Sequence, residues 1–234
     1  MAVYGKIGFR VRTDVPRADP DLVAQFRSHA TSNIADAMGR FHFMDPGIRA
    51  RSGLPLCGVA VTVDARPADN LMIHKALEVA TPGDIIVVST NGNTTSAIFG
   101  ELMCRTAVGA SLGGIVVDGA IRDIDGITAL AFPAYSRAVC AGGCDKDGPG
   151  EVNSPISCGN TVVMPGDIIV GDDEGIVVIP QHLADEVAEQ AVEQEKMEVF
   201  ILERVQGGAR LPGTYPPNAE TKAAFEVWRK ERGV

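Results

Sequence analysis

Gly113-Gly114-Ile115-Val116-Val117-Asp118-Gly119-Ala120-Ile121-Arg122-Asp123 is the stretch on which the reading of this chain turns. A glycine pair running into β-branched apolar residues predicts a turn and a buried strand, Ile115–Val117, with Asp118–Asp123 as a loop at its carboxyl end. Open α/β sheets bind ligands at that end of their strands. Just upstream, the polar loop Thr90–Ser96 opens into a helix around Gly100–Ala110. The preceding unit repeats this order. Leu56–Val63 predicts a buried strand, Asn70–Ala80 a helix with Leu71, Ala76 and Leu77 inward, Pro82-Gly83-Asp84 a turn, and Ile85–Val88 a second strand. Such alternation argues for an α/β domain with at least some parallel strands.

Further out, residues 20–40 predict two short helices. The first runs from Asp21 to Ser28; the second follows the capping candidates Thr31 and Ser32 and stops at Gly39. Beyond Tyr135 the pattern changes to short β segments separated by Gly, Asn and Pro. Pro165-Gly166-Asp167-Ile168-Ile169-Val170 echoes Pro82-Gly83-Asp84-Ile85-Ile86-Val87, one turn-into-strand device used twice. A long helix over His182–Gln206 ends at Gly207-Gly208. Residues 1–206 are therefore expected to form one α/β domain, N-terminal helices included. Residues 207–234 are expected to form a Pro-rich tail with a short helix near Ala219–Lys230, lying outside the core.

A hydrophobic fraction of 45% supports a sizeable core, and 5% aromatics make its packing aliphatic. With 21 basic and 30 acidic residues, the formal charge is −9, which argues against a nucleic-acid partner because phosphate binding needs a basic footprint. No apolar stretch of about 18 residues predicts a membrane span. The start lacks the order of a signal peptide. Cys57, Cys104, Cys140, Cys144 and Cys158 are odd in number and scattered, as expected for reduced thiols in a cytoplasmic protein.

Arg122-Asp123 could divide the work on a 2-oxo acid, guanidinium to a substrate oxygen and carboxylate to a divalent metal; a structural ion pair is the alternative. Gly100-Glu101-Leu102-Met103 opens a helix whose free amides suit a carboxylate, or it is simply a tight turn with an acidic first residue. His74 sits mid-helix, where a structural or surface role is the alternative. Asp36, Glu195 and Glu198 read by default as solvated or paired charges. The acidic loops Asp145–Gly150 and Gly171–Gly175 lack the ligand spacing of an EF-hand and read as turns. No nucleophile elbow, Walker loop or dinucleotide fingerprint follows a strand. A Schiff-base mechanism would have to use Lys75 or Lys146, the lysines near the glycine-rich loops.

These segments together resemble the class II 4-hydroxy-4-methyl-2-oxoglutarate / 4-carboxy-4-hydroxy-2-oxoadipate aldolases, whose fold is shared with the regulator of ribonuclease activity A. The resemblance runs over Asp69-Asn70-Leu71 to His74, Pro82-Gly83-Asp84, Gly100–Met103 and Gly114–Asp123. It continues through Lys146–Gly150, Pro165-Gly166-Asp167 and Gly171–Gly175. The family signature is an acidic residue, twenty residues, then Arg-Asp, and Glu101 and Arg122-Asp123 enclose that gap of twenty residues, Leu102–Ile121. Many members have Asp at the place of Glu101.

The resemblance implies a layered, swivelling β/β/α domain with N-terminal helices and a long C-terminal helix. It implies a divalent cofactor, Mg²⁺ or Mn²⁺, with Asp123 as direct ligand and Glu101, Asp36 and Glu198 reaching it through water. Arg122 would contact the pyruvyl oxygen, the Leu102 and Met103 amides after Gly100 would hold the substrate carboxylate, and His74 would line the site. The implied substrate is a 2-oxo diacid, with oxaloacetate decarboxylation as a companion activity. The implied assembly is a homo-oligomer, a trimer or hexamer. A lyase for another 2-oxo acid and a protein-binding regulator of RNA decay are the rivals.

Overall fold

Strands that alternate apolar residues on both faces must be covered on both faces, and that requirement organises this chain. In the computed structural model, which describes residues 2–233, a hairpin of β1 (Val3–Tyr4) and β2 (Phe9–Arg12) comes first. It is followed by α1 (Pro20–Gln25), a 3-10 turn (Phe26–Ser28), α2 (Thr31–Ala37) and the two-residue β3 (Arg49–Ala50). The alternating segment is β4 (Leu56–Ala65), α3 (Leu71–Val79), β5 (Ile85–Phe99), α4 (Glu101–Gly109), β6 (Gly114–Ile121), α5 (Ile124–Ala129) and β7 (Ala134–Val139). Then come β8 (Gly150–Val152), β9 (Ile156–Cys158), β10 (Thr161–Val163), β11 (Ile168–Gly171) and β12 (Ile176–Ile179). The helices α6 (Ala184–Gln206), α7 (Leu211–Thr214) and α8 (Ala219–Arg232) complete the chain.

The neighbours β4, β5, β6 and β7 are all parallel, as α-helical crossovers demand. The first half of β4 also pairs antiparallel with β11, which pairs with β12. Period-two alternation then sorts the core. Ile86, Val88, Ile115 and Val117 face α3, α4 and α5 through Met72, Ile73, Ala76, Met103, Cys104 and Ile127. Their neighbours Ile85, Val87 and Val116 face the small strands through Ile156, Cys158, Val163, Ile169 and Val178. The result is a β/β/α layering. A third cluster, including Phe26, Ile34, Val170, Val177 and Val187, seats α1, α2 and the start of α6 on β11 and β12.

Two compact units meet within α6, the first ending at Ala188 and the second beginning at Glu189. The second unit is helical. Phe200, Phe225 and Trp228 pack as an aromatic cluster, and ion pairs of Arg229 with Glu193 (2.8 Å) and Arg232 with Glu203 (2.9 Å) flank it. Among the described residues no helix is long and apolar enough to cross a membrane.

Two expectations are corrected. The strand expected over Ile115–Val117 runs on to Ile121, so Asp118–Ile121 is sheet rather than loop. The polar run 90–96, expected as a loop, lies inside β5. The two errors share one cause. Beyond Ser89, β5 continues through register shifts and pairs Asn93, Ala97 and Phe99 with Gly119, Ala120 and Ile121. Asp118 is tolerated in a buried strand because Arg137 Nε (2.6 Å) and the Gly159 amide (2.9 Å) donate to its carboxylate.

The sequence echo is structural. Asp84 accepts from the Thr81 amide at 2.7 Å and Asp167 from the Met164 amide at 2.8 Å, each closing its turn three residues back. Gly83 and Gly166 supply the positive φ (85° and 94°) that these turns need.

Candidate functional site

The carboxyl ends of β5 and β6 lie side by side, so whatever follows each strand must meet. After Phe99 the chain turns through Gly100 into α4; after Ile121 it turns through Arg122 and Asp123 into α5. The Arg122 amide donates to the Phe99 carbonyl (3.0 Å), which locks the two exits together. Asp123 caps α5 from the left-handed region, φ 58°, a conformation Asp tolerates better than most residues. Its Oδ2 there accepts from the Glu101 amide at 3.1 Å. Gly100 leaves the room this approach uses: a Cβ at that position would stand 2.6 Å from Asp123 Oδ2 and 3.2 Å from Arg122 Cγ and would push that pair aside.

The pair itself is open to solvent. Arg122 Nε is 3.5 Å from Asp123 Oδ2, and the side chains are 48% and 44% exposed. A contact that long and that wet contributes little stability, so both groups remain available to a ligand. The first-turn amides of α4 have no acceptor within the helix and point out of its amino end. Leu102 and Met103 occupy that turn, the first side chain exposed and the second buried. Glu101 is engaged by Arg105 one turn on, through Nε (3.0 Å) and Nη2 (2.5 Å).

Loop 140–148 forms the next wall. The Cys140 amide bonds the Ile121 carbonyl (3.0 Å), and a Cβ on Gly143 would lie 3.3 Å from Arg122 Nη1. Burial pushes the Cys144 thiol up, and that thiol feels the charges of both Lys146 and Arg122. On α3, burial lowers the pKa of His74, and Lys146 and Lys75 lower it further against the opposing pull of Glu78. His74 is therefore neutral at neutral pH, and the charges that reach the loop beside Arg122 are mixed, Lys146 and Arg122 against Asp69 and Asp145.

Sequence reasoning missed the groups that hold this wall in place. Buried Asp69 accepts from the amides of Leu71 (2.9 Å), Asp147 (3.0 Å) and Gly148 (2.7 Å). Burial alone would raise its pKa, but those three amides and Arg66 outweigh it and leave the carboxyl below its usual range. Buried Asn70 donates from Nδ2 to the Ile98 carbonyl (3.1 Å) and to Met103 Sδ (3.3 Å), tying α3 to the entrance of α4. Both residues lay in the Asp69-Asn70-Leu71 motif, which was the available signal. Lys146, a Schiff-base candidate on sequence, contributes its charge to the surroundings of His74 and Cys144.

A depressed Asp69 contributes stability that is complete above the unfolded carboxylate pKa, about 4, and is lost as pH falls through the lower folded value. Hydrogen exchange at Asp147 and Gly148, corrected for intrinsic rates, should accelerate over that acid range. In Asp69→Asn the acid dependence should vanish; an unchanged profile would show that the loop is held by something else.

The structure brings Arg122, Asp123, Gly100, Glu101, Leu102 and Met103 together, and His74, on α3, feels the charge of Lys146. Asp36 sits on α2, which packs on β12, and its carboxylate pairs with Arg40 at 3.0 Å. Glu198 is exposed on α6 in the second unit.

For a metal, among the described residues no three His, Cys, Asp or Glu side chains form a cage. What the site offers is one accessible carboxylate at Asp123. That suits a small hard cation that keeps most of its water, such as Mg²⁺ or Mn²⁺, rather than zinc in a closed site.

A family model described as RraA-like, Aldolase/RraA, matches residues 31–178. A protein of Halalkalibacterium halodurans, provisionally named 4-hydroxy-4-methyl-2-oxoglutarate aldolase, is 38% identical over 76% of this chain and 86% of its own length. Among solved structures, an uncharacterized protein from Pseudomonas syringae aligns with a TM-score of 0.78 at 26% identity, over 88% of this chain and 98% of that one. Streptomyces coelicolor RraAS2, described as an unusual member of the RNase ES inhibitor RraA family, aligns with a TM-score of 0.72 at 27% identity, over 80% and 98%.

Proposed function

The chain belongs to the RraA-like (Aldolase/RraA) family, and from that premise we propose that it is a divalent-metal-dependent lyase acting on a 2-oxo diacid. The substrate is 4-hydroxy-4-methyl-2-oxoglutarate or 4-carboxy-4-hydroxy-2-oxoadipate, cleaved to pyruvate and a second 2-oxo acid. The observation that carries this reading is the solvent-open Arg122–Asp123 pair facing the amino end of α4.

The Leu102 and Met103 amides hold the substrate's C1 carboxylate, and Arg122 donates to the C2 keto oxygen. When the C3–C4 bond breaks, its electron pair moves toward that oxygen, the C4 hydroxyl gives up its proton to solvent as it becomes a carbonyl, and C3 later takes up a proton from solvent to give pyruvate. Arg122 meets the charge where it develops. Asp123 would hold the cation and Glu101 would reach it through water, and the cation would supply Lewis-acid stabilisation of the developing charge. Neutral His74 lines the site. Loss of CO₂ from oxaloacetate generates the same enolate, so decarboxylation accompanies the aldol cleavage. Asp36 and Glu198 enter this reading only through a neighbouring copy in a trimer or hexamer.

Likeness to RraAS2 supports one rival, a protein-binding regulator of RNA decay. Pyruvate in D₂O separates the two. A site built for the enolate should exchange the methyl protons of pyruvate, seen as loss of the methyl signal by proton NMR. That exchange should require Mg²⁺ or Mn²⁺ and should travel with a species of trimer or hexamer mass. A folded, metal-supplied protein that leaves the methyl signal intact and turns over no 2-oxo diacid favours the regulator; an exchanging monomer removes the roles of Asp36 and Glu198.

A further inference from the structure

The Glu101 side chain reaches toward α5. A Cβ built on Gly126 would stand 2.5 Å from Glu101 Oε2, 2.6 Å from Cδ and 2.8 Å from Cγ. Every one of those nearest atoms belongs to the Glu101 side chain. On its other side the same carboxylate takes the two bonds from Arg105.

We propose that Gly126 and Arg105 are positioning residues for Glu101: the missing side chain at 126 admits a glutamate-length carboxylate against the first turn of α5, and the Arg105 guanidinium holds it there. The inference rests on the reading of Arg122 and Asp123 as a metal-dependent site, for which Glu101 is the second carboxylate. Gly126 lies three residues beyond Asp123, so the space it leaves places that carboxylate on the helix Asp123 caps. The nearest atoms a methyl at 126 would meet all belong to the flexible Glu101 side chain, so it should displace Glu101 without unfolding α5. Alanine is also the better helix former, so a purely structural view expects Gly126→Ala to be neutral or stabilising.

The test compares wild type, Gly126→Ala, Glu101→Asp and the double variant Glu101→Asp/Gly126→Ala, with Arg105→Gln as a fifth protein. In Gly126→Ala the thermal midpoint should not fall. Mn²⁺ affinity, read by the free-ion EPR signal, and metal-dependent methyl exchange of pyruvate should each drop about tenfold, the low end for residues that orient a metal's partners. In the Glu101→Asp background the shorter side chain clears the methyl, so adding Gly126→Ala should cost nothing further. Arg105→Gln should reproduce the loss seen with Gly126→Ala.

An independent readout is the ¹³C shift of the Glu101 carboxyl carbon, which should move in Gly126→Ala and in Arg105→Gln with no metal present. If wild type neither binds Mn²⁺ nor exchanges pyruvate, the metal-lyase reading fails on its own. An unmoved ¹³C signal, or an equal cost of Gly126→Ala in both backgrounds, overturns the positioning role.

Discussion

Arg122→Ala is expected to lower kcat on the 2-oxo diacid by about 10²–10³-fold, the usual cost of removing one preorganised donor at a developing oxyanion. The fold should hardly notice. Arg122 is half exposed, among the described residues its side-chain ion pair is the 3.5 Å contact to Asp123, and its structural bond to Phe99 is made by the backbone, which the substitution keeps. Stability should therefore change within about 0.5 kcal/mol, as for ordinary surface positions. Arg122→Lys separates charge from shape: the ammonium keeps the charge but loses the planar fork of donors, so kcat should still fall clearly. Steady-state kinetics on both variants, with thermal unfolding as control, makes the measurement. Unchanged kcat and KM in Arg122→Lys would mean that the guanidinium is structural and the chemistry lies elsewhere.

Asp123→Asn carries the second large effect. Asparagine tolerates the left-handed backbone at this position, and its amide oxygen can still accept from the Glu101 amide, so the local turn should survive. What disappears is the negative charge. Activity at ordinary Mg²⁺ should then fall on the order of 10²-fold or more, matching the several kcal/mol a cation contributes to such a step. Part of it should return at much higher metal. Treating wild type with a chelator should produce the same loss, reversed by Mg²⁺ or Mn²⁺. Full turnover in chelator would remove the metal from the mechanism and return attention to Lys146, whose charge already reaches His74 and Cys144.

Much of the candidate site was legible because its residues act through local backbone geometry. Gly100 before an acidic helix start, and Arg122-Asp123 after a β-branched run, are short-range patterns, and both landed at neighbouring strand ends. Asp84 and Asp167 were legible as turns for the same reason, since each closes a bond three residues away. Asp118 was not. A carboxylate in a β-rich run reads as the end of a strand until Arg137 and the Gly159 amide are seen to neutralise it. Thr90 misled in the same way: its hydroxyl donates to the Asp118 carbonyl (2.7 Å), a partner 28 residues on.

The sequence by itself determined the α/β alternation, the two aspartate-closed turns and the spacing of Glu101 from Arg122-Asp123. Periodicity and turn chemistry act over a few residues and need no partner. Only the tertiary structure decided that β5 and β6 run on together past Ser89, that Asp69 pins loop 145–148, and that Glu101 leans into the space left by Gly126. Each of these depends on groups far apart in the chain satisfying one another. A buried charge or an absent side chain acquires its meaning from the atoms that surround it, and those are supplied by folding.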